Sequence, residues 1–120
     1  MKQILPALSF ITILFFSVMG LSFAAEEHGN QTLKHAQLAW QHGKKGHANV
    51  LTEHAESALE HAKASKKVHS DAAAHMGEAI THLNAAIEHG KMGHADVATK
   101  HTKEAIVHIK AGNKIMLHKK

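Results

Sequence analysis

Histidine returns every seventh residue in four stretches of this chain: His28, His35 and His42; His47, His54 and His61; His75, His82 and His89; His94, His101 and His108. Seven residues fall only about 20° short of two helical turns. Each set therefore lies along one edge of a helix, with steps of about 10.5 Å. A second regularity is laid over the first. A shift of 47 residues superimposes residues 32–65 on residues 79–112 without a gap, so that HGKKGHANV aligns with HGKMGHADV. A match that long marks a duplicated unit of two segments joined by a tight turn.

The segments are rich in alanine, lysine and glutamate and contain no proline. Larger apolar residues, Leu33, Trp40, Leu59, Ile80, Ile87 and Ile106, fall at helical spacing. Four helices are predicted, over residues 28–42, 47–65, 70–89 and 94–111, with residues 65–69 as linker. Gly43 and Gly90 stand where a left-handed C-terminal cap is expected, and Asn49 and Asp96 hold capping or first-turn positions of the following helices. The predicted fold is all-α, an antiparallel four-helix bundle built from two duplicated helical hairpins. Its core should be thin, because Ala39, Ala58, Ala86 and Ala105 take inward positions.

In an antiparallel hairpin, residues at one height have a constant sum of residue numbers. That sum is 89 for every histidine pair of the first hairpin and 183 for every pair of the second. Each histidine thus has one level with it across the seam, giving six two-histidine rungs. Rungs about 10.5 Å apart cannot share an ion whose bonds to nitrogen are near 2 Å, so ligands must come from the facing helix. Asp71, Glu78 and Glu104 stand four residues before His75, His82 and His108, the spacing that puts a pair on one helix face. Two imidazoles, a carboxylate and water suit Cu(II), Ni(II), Zn(II) or Fe(II), with copper first in the Irving–Williams order. The first hairpin has Gln31, Val50 and Ser57 at the corresponding distance, which makes its sites more purely imidazole. A lone boundary histidine is usually just hydrogen-bonded. Helix stability does not call for twelve of them in a matched ladder, since histidine is a middling helix former. His69 and His118 fall outside the ladder as solvated residues, and Met76, Met92 and Met116 read as packing or loop residues.

Met1 and Lys2 precede an apolar stretch from Ile4 to about Phe16, and Ser22, Phe23 and Ala24 offer a cleavage site. Residues 1–24 are read as a signal peptide cut after Ala24, residues 25–112 as the bundle, and residues 113–120 as a basic tail or helical extension. Export implies a periplasmic protein with no lasting membrane anchor. The chain has no cysteine, so neither disulfides nor thiolate ligands are available. The net charge is +4, but lysine and glutamate are interspersed, arginine is absent, and Trp40 is the one aromatic residue after Ala24. That is a poor surface for reading nucleic acid.

No histidine has Glu three residues before it, as carboxylate-bridged di-iron bundles require. A His-Glu-x-x-His motif, a nucleophile elbow, a phosphate loop and a haem-attachment motif are also absent, which argues against an enzyme. A buried bis-histidine haem would need one level pair, whereas six pairs suit capacity.

HGKKGH, HGKMGH and GHADVATKHTKEAIVHIK, with the flanking heptad histidines, resemble the small metal-binding protein (SmbP-type) family of periplasmic proteins from ammonia-oxidising bacteria. The likeness covers nearly all of the mature chain. It implies a four-helix bundle that binds several metal ions, copper prominently, through ladder histidines and neighbouring carboxylates, with a role in buffering periplasmic metal. This chain departs from that pattern in its many lysines and in Gly29 and Asn30 directly after His28, which makes the rung of His28 and His61 the least secure.

The expected function is a reversible store for divalent transition metals in a monomeric protein, with metal-bridged oligomers as a further state. The alternatives are an interaction protein that binds polyanions or lipid headgroups through protonated histidines and lysines, and a haem carrier.

Overall fold

The computed structural model describes the backbone over residues 10–118 and the side chains over residues 26–118. It contains four helices: α1 (Phe10–Lys44), α2 (Ala48–Val68), α3 (Ala73–Lys91) and α4 (Ala95–His118). The described residues include no strand. Helices adjacent in sequence pack together, and α1 closes the ring against α4, giving the antiparallel four-helix bundle that the repeat predicts.

Periodicity explains the packing. Buried positions in α1 are Gly29, Thr32, Ala36, Ala39 and Gly43, alternating three and four residues apart, and the other helices follow the same rule. The core is thin, as expected: more than half of its buried apolar residues are alanine, Ala39, Ala58, Ala86 and Ala105 among them. Leu51, Met76, Leu83 and Ile109 supply the large, fully buried side chains. Leu33, Ile80 and Ile106 pack at its margin, while Trp40 stays half-exposed with the Lys44 ammonium 4.0 Å above its ring.

The hairpin turns correct the expected caps. Gly43 and Gly90 are helical and buried, whereas Gly46 and Gly93 carry the positive φ, 77° and 75°. Each turn closes with the Gly46 N–H on the Gly43 carbonyl (2.9 Å) and the His47 N–H on the His42 carbonyl (3.0 Å), repeated in the second hairpin with 3.0 and 2.9 Å. This is the paired 5→2 and 6→1 arrangement of a Schellman motif, with glycine at the left-handed position. Gly43 and Gly90 serve a different need. A Cβ on Gly43 would lie 2.5 Å from Leu51 Cδ1 and would collide with the Thr99 hydroxyl; one on Gly90 would collide with the Thr52 hydroxyl. The two contacts exchange under the 47-residue shift, so the duplicated hairpins meet at pseudo-equivalent glycine–threonine crossings. Asn49 and Asp96 lie in the first turns of α2 and α4, and His47, at the N-cap of α2, makes no side-chain capping bond.

Helix ends differ from the predicted ones where packing overrides local signals. The linker begins at His69, after α2, and α3 begins only at Ala73. Asp71 therefore sits in the preceding turn and does not share a helix face with His75, as its four-residue spacing had suggested. At the other end α4 runs on through the basic tail to His118, because Met116 is buried and the Asn113 amide donates to the Gly29 carbonyl at 2.9 Å. The expected signal peptide lies in part outside the described residues; from Phe10 onward its backbone continues into α1. Among the described residues no helix is long and apolar enough to cross a membrane.

Candidate metal centre

Every ladder histidine stands one residue before a core or core-margin position, which places it on the edge of its helix beside the hairpin partner. Ten of the twelve are half-buried; His47 and His94, at the turns, are exposed. The register comes from the turn itself. Because the Schellman bond joins His42 to His47 through the backbone, the outermost rung of the first hairpin is fixed, and the heptad carries that alignment down both helices. His89 and His94 are tied in the same way.

All six rungs form. Nδ1 faces Nδ1 at 3.1 Å in His28–His61 and at 3.4 Å in His35–His54, His42–His47 and His82–His101. The rings of His75 and His108 are 6.2 Å apart and those of His89 and His94 are 5.9 Å apart. The rung expected to be least secure, His28–His61, is the tightest by ring separation, 5.4 Å. Gly29 lets α1 approach α4 closely there, since a Cβ at that position would meet Asn113 Oδ1 at 2.5 Å.

The rungs are not isolated, contrary to what the spacing along one helix suggests. His35 stacks on His61 at 5.8 Å and His42 on His54 at 5.7 Å; in the second hairpin His82 stacks on His108 and His89 on His101, both at 5.6 Å. These diagonals match the rungs in length. Each hairpin therefore carries a continuous zigzag of six imidazoles, a ribbon along the α1/α2 seam and another along α3/α4.

Neutral rings suit this contact, in which one Nδ1–H donates to the lone pair of the other. Burial lowers the His35 pKa below the usual 6.5, and His54, His61 and Lys34 lower it further; His42 is lowered by desolvation, then by His54, Lys45 and His47. At these two positions the neutral form, the one that can accept a metal ion, is favoured. His89 Nδ1 is buried with no hydrogen-bond partner, a costly state for a ring nitrogen.

The carboxylates lie outside the rungs. Glu78 and Glu104 are exposed on α3 and α4, Asp71 is exposed in the turn before α3, and among the described residues no three His, Asp or Glu side chains gather around one point at metal-holding distance. His69 ends α2 and His118 is exposed. Met76 and Met116 belong to the core, where Met116 Sδ accepts the Ser65 hydroxyl at 3.6 Å, and Met92 is a turn residue that is 57% exposed. Sequence reasoning missed the diagonal stacking. The residue sums put partners one heptad off level a full step, about 10.5 Å, apart; the available signal was the lean of helical side chains toward their own N-terminus, which in an antiparallel pair carries such partners toward each other.

The model of one protein family, described as small metal-binding protein, matches residues 2–112 of the chain. No curated protein matches it.

Proposed function

Since the chain belongs to the small metal-binding protein family, we propose that its two histidine ribbons bind divalent transition metals reversibly, copper foremost and Ni(II), Zn(II) and Fe(II) after it, and that the protein is a periplasmic metal buffer and not an enzyme. The separation of the facing Nδ1 atoms carries this reading. Two nitrogens bound to one ion at about 2.0–2.1 Å stand about 2.9 Å apart at a right angle and about 3.4 Å apart at the tetrahedral angle. Four of the six rungs stand at 3.1–3.4 Å before any ion enters. Little reorganisation is needed, so little ordering entropy is lost on binding.

Loading requires each rung to free both Nδ1 lone pairs. The shared proton shifts to Nε2 of the same ring, which leaves both imidazoles neutral and both Nδ1 atoms available. Water or a neighbouring carboxylate completes the shell. For His89 the ion would also supply the partner that its buried Nδ1 lacks. Acid reverses the process, because protons compete for the same nitrogens.

The ribbon suits haem less well. Axial histidines must stand on opposite sides of a macrocycle, whereas these rings already touch across the seam and stack on the next rung. A polyanion would be bound by protonated rings, the form that burial disfavours at His35. The deciding experiment is an isothermal titration of the mature protein with Cu(II) at pH 7, repeated with His82→Ala/His101→Ala. Several ions bound by the parent and about one fewer by the variant are expected. Weak binding that the variant leaves unchanged would overturn the reading.

A further inference from the structure

The outer face of α4 is built unlike that of its repeat partner, α2. Lys100, Lys103, Val107, Lys110, Lys114 and Leu117 are all exposed. They recur alternately three and four residues apart, so they form a stripe about 100° wide and about 26 Å long, opposite the buried Ala98, Thr102, Ala105, Ile109 and Met116. Asp96 stands at the start of the stripe and Glu104 at its margin. Of the three large apolar side chains exposed among the described residues, two, Val107 (56%) and Leu117 (52%), stand on it. Under the 47-residue shift α2 carries Glu53, Glu56 and Glu60 in place of Lys100, Lys103 and Val107, and keeps lysine only at Lys63 and Lys67, the equivalents of Lys110 and Lys114. The fold accepts either charge at these positions, so packing does not account for the lysines. Among the described residues ion pairs join Lys63 to Glu60 and Lys91 to Glu56, and no α4 lysine enters one.

The flanking helices set the limits of this face. α4 packs against α1 on one side and α3 on the other. The exposed charged residues of α1 are Glu27, Lys34 and Lys44, and those of α3 are Glu78, Glu88 and Lys91. Positive charge therefore continues from α4 onto α1 and stops at α3. Trp40 stands two residues before His42, about 200° round α1 from the edge that faces α2, which puts it on the α4 side. It is the chain's one tryptophan and is half-exposed. The α1/α4 side thus combines lysine ammoniums with two exposed aliphatic side chains and an indole.

We infer that this side of the bundle lies reversibly on an anionic phospholipid surface, with the α4 lysines on headgroup phosphates and Val107, Leu117 and Trp40 at the acyl boundary. Lysine stems extend along apolar neighbours while their ammoniums reach outward, and an indole favours the same interface. A soluble polyanion would meet the charge equally well but would leave Val107 and Leu117 without a role. The histidine seams, α1/α2 and α3/α4, flank the docked side, so the contact does not use the imidazoles and does not depend on the metal-binding reading.

The test is co-sedimentation of the mature protein with vesicles of phosphatidylglycerol and phosphatidylcholine at pH 8 in EDTA, where imidazoles are neutral and metal is withheld. Binding is expected that fades at high salt and is missing with phosphatidylcholine alone. A lysine near an anionic surface is worth about fivefold in affinity, so Lys100→Glu/Lys103→Glu, which gives α4 the residues of α2, should cost at least about 25-fold. Lys63→Glu/Lys67→Glu changes the net charge equally on α2 and should cost much less. Brominated phosphatidylglycerol should quench Trp40 fluorescence. All four lysines are exposed, so circular dichroism should be unchanged. Equal losses in the two variants, or no binding by the parent, would overturn the inference. So would binding to heparin as tight as to the vesicles with Trp40 unquenched, which would make the partner a soluble polyanion.

Discussion

The imidazole of His35 lies 5.7 Å from that of His54, its level partner, and 5.8 Å from that of His61, one heptad away. An interior histidine thus belongs to two ring contacts, whereas among the described residues His28, at the end of the ribbon, has one, with His61. Replacing His35 with alanine removes a ligand from one rung and the ring that positions the next. His35→Ala should therefore lower Cu(II) affinity at more than one site, and His28→Ala at one only. Competition against a chelator of known affinity would measure this. Equal losses in the two variants would mean that rungs act independently.

The pH dependence of the metal-free fold follows from the two lowered imidazoles. Their folded-state pKa values lie below the unfolded value of 6.5, so the unfolded chain binds more protons as pH falls through that value. Stability is then complete above pH 6.5 and declines below it. Urea midpoints of the metal-free protein should fall between pH 7.5 and pH 5, and His35→Gln should flatten the decline. A midpoint that rose on acidification would show that the ribbon prefers imidazolium.

Glycine has two jobs at each turn, and substitution separates them. Nothing lies within 4 Å of a Cβ built on Gly46, so Gly46→Ala costs only the left-handed backbone, about 1–2 kcal/mol. Gly43→Ala gains about 1 kcal/mol of helix propensity but forces a methyl group onto Thr99 and Leu51, where overpacking costs about 1–3 kcal/mol. Adding Thr99→Ala should restore stability to Gly43→Ala and do nothing for Gly46→Ala. Chemical denaturation of the four variants would check this, and rescue of the Gly46 variant would count against the assignment.

These glycines also mark where the sequence was legible and where it was not. The heptad and the 47-residue shift were enough to predict the four helices and the level pairing, because both depend on helical geometry alone. The caps were misplaced because HGKKG offers two glycines, and choosing between them depends on Thr99 and Thr52, which reach them from across the bundle. Asp71 was put on a helix face because its spacing from His75 is helical, but α3 starts two residues after it. The tail became helix through Met116 and Asn113, whose partners lie on α2 and α1. The caps and the tail have their cause in residues distant in sequence.

The alanine-rich core makes folding and metal loading compensate for one another. Leu51 is a large, fully buried side chain at the turn end that reaches both buried glycines, its Cδ1 toward Gly43 and its Cδ2 toward Gly90. Leu51→Ala should cost about 2–5 kcal/mol, a large share of the stability of a small domain. Ions bound only by the folded state give some of that back, about 4 kcal/mol for a site at a thousandfold excess over its Kd. The metal-free variant should therefore show a lowered and broadened melting transition by far-UV circular dichroism, and Cu(II) should raise its midpoint, as it raises that of the parent. Part of that recovery should disappear when His42→Ala and His89→Ala are added, since these remove two of the six rungs and leave the other four to bind ions in the folded state. Recovery unchanged by their loss would show that the two turn-end rungs hold no ion.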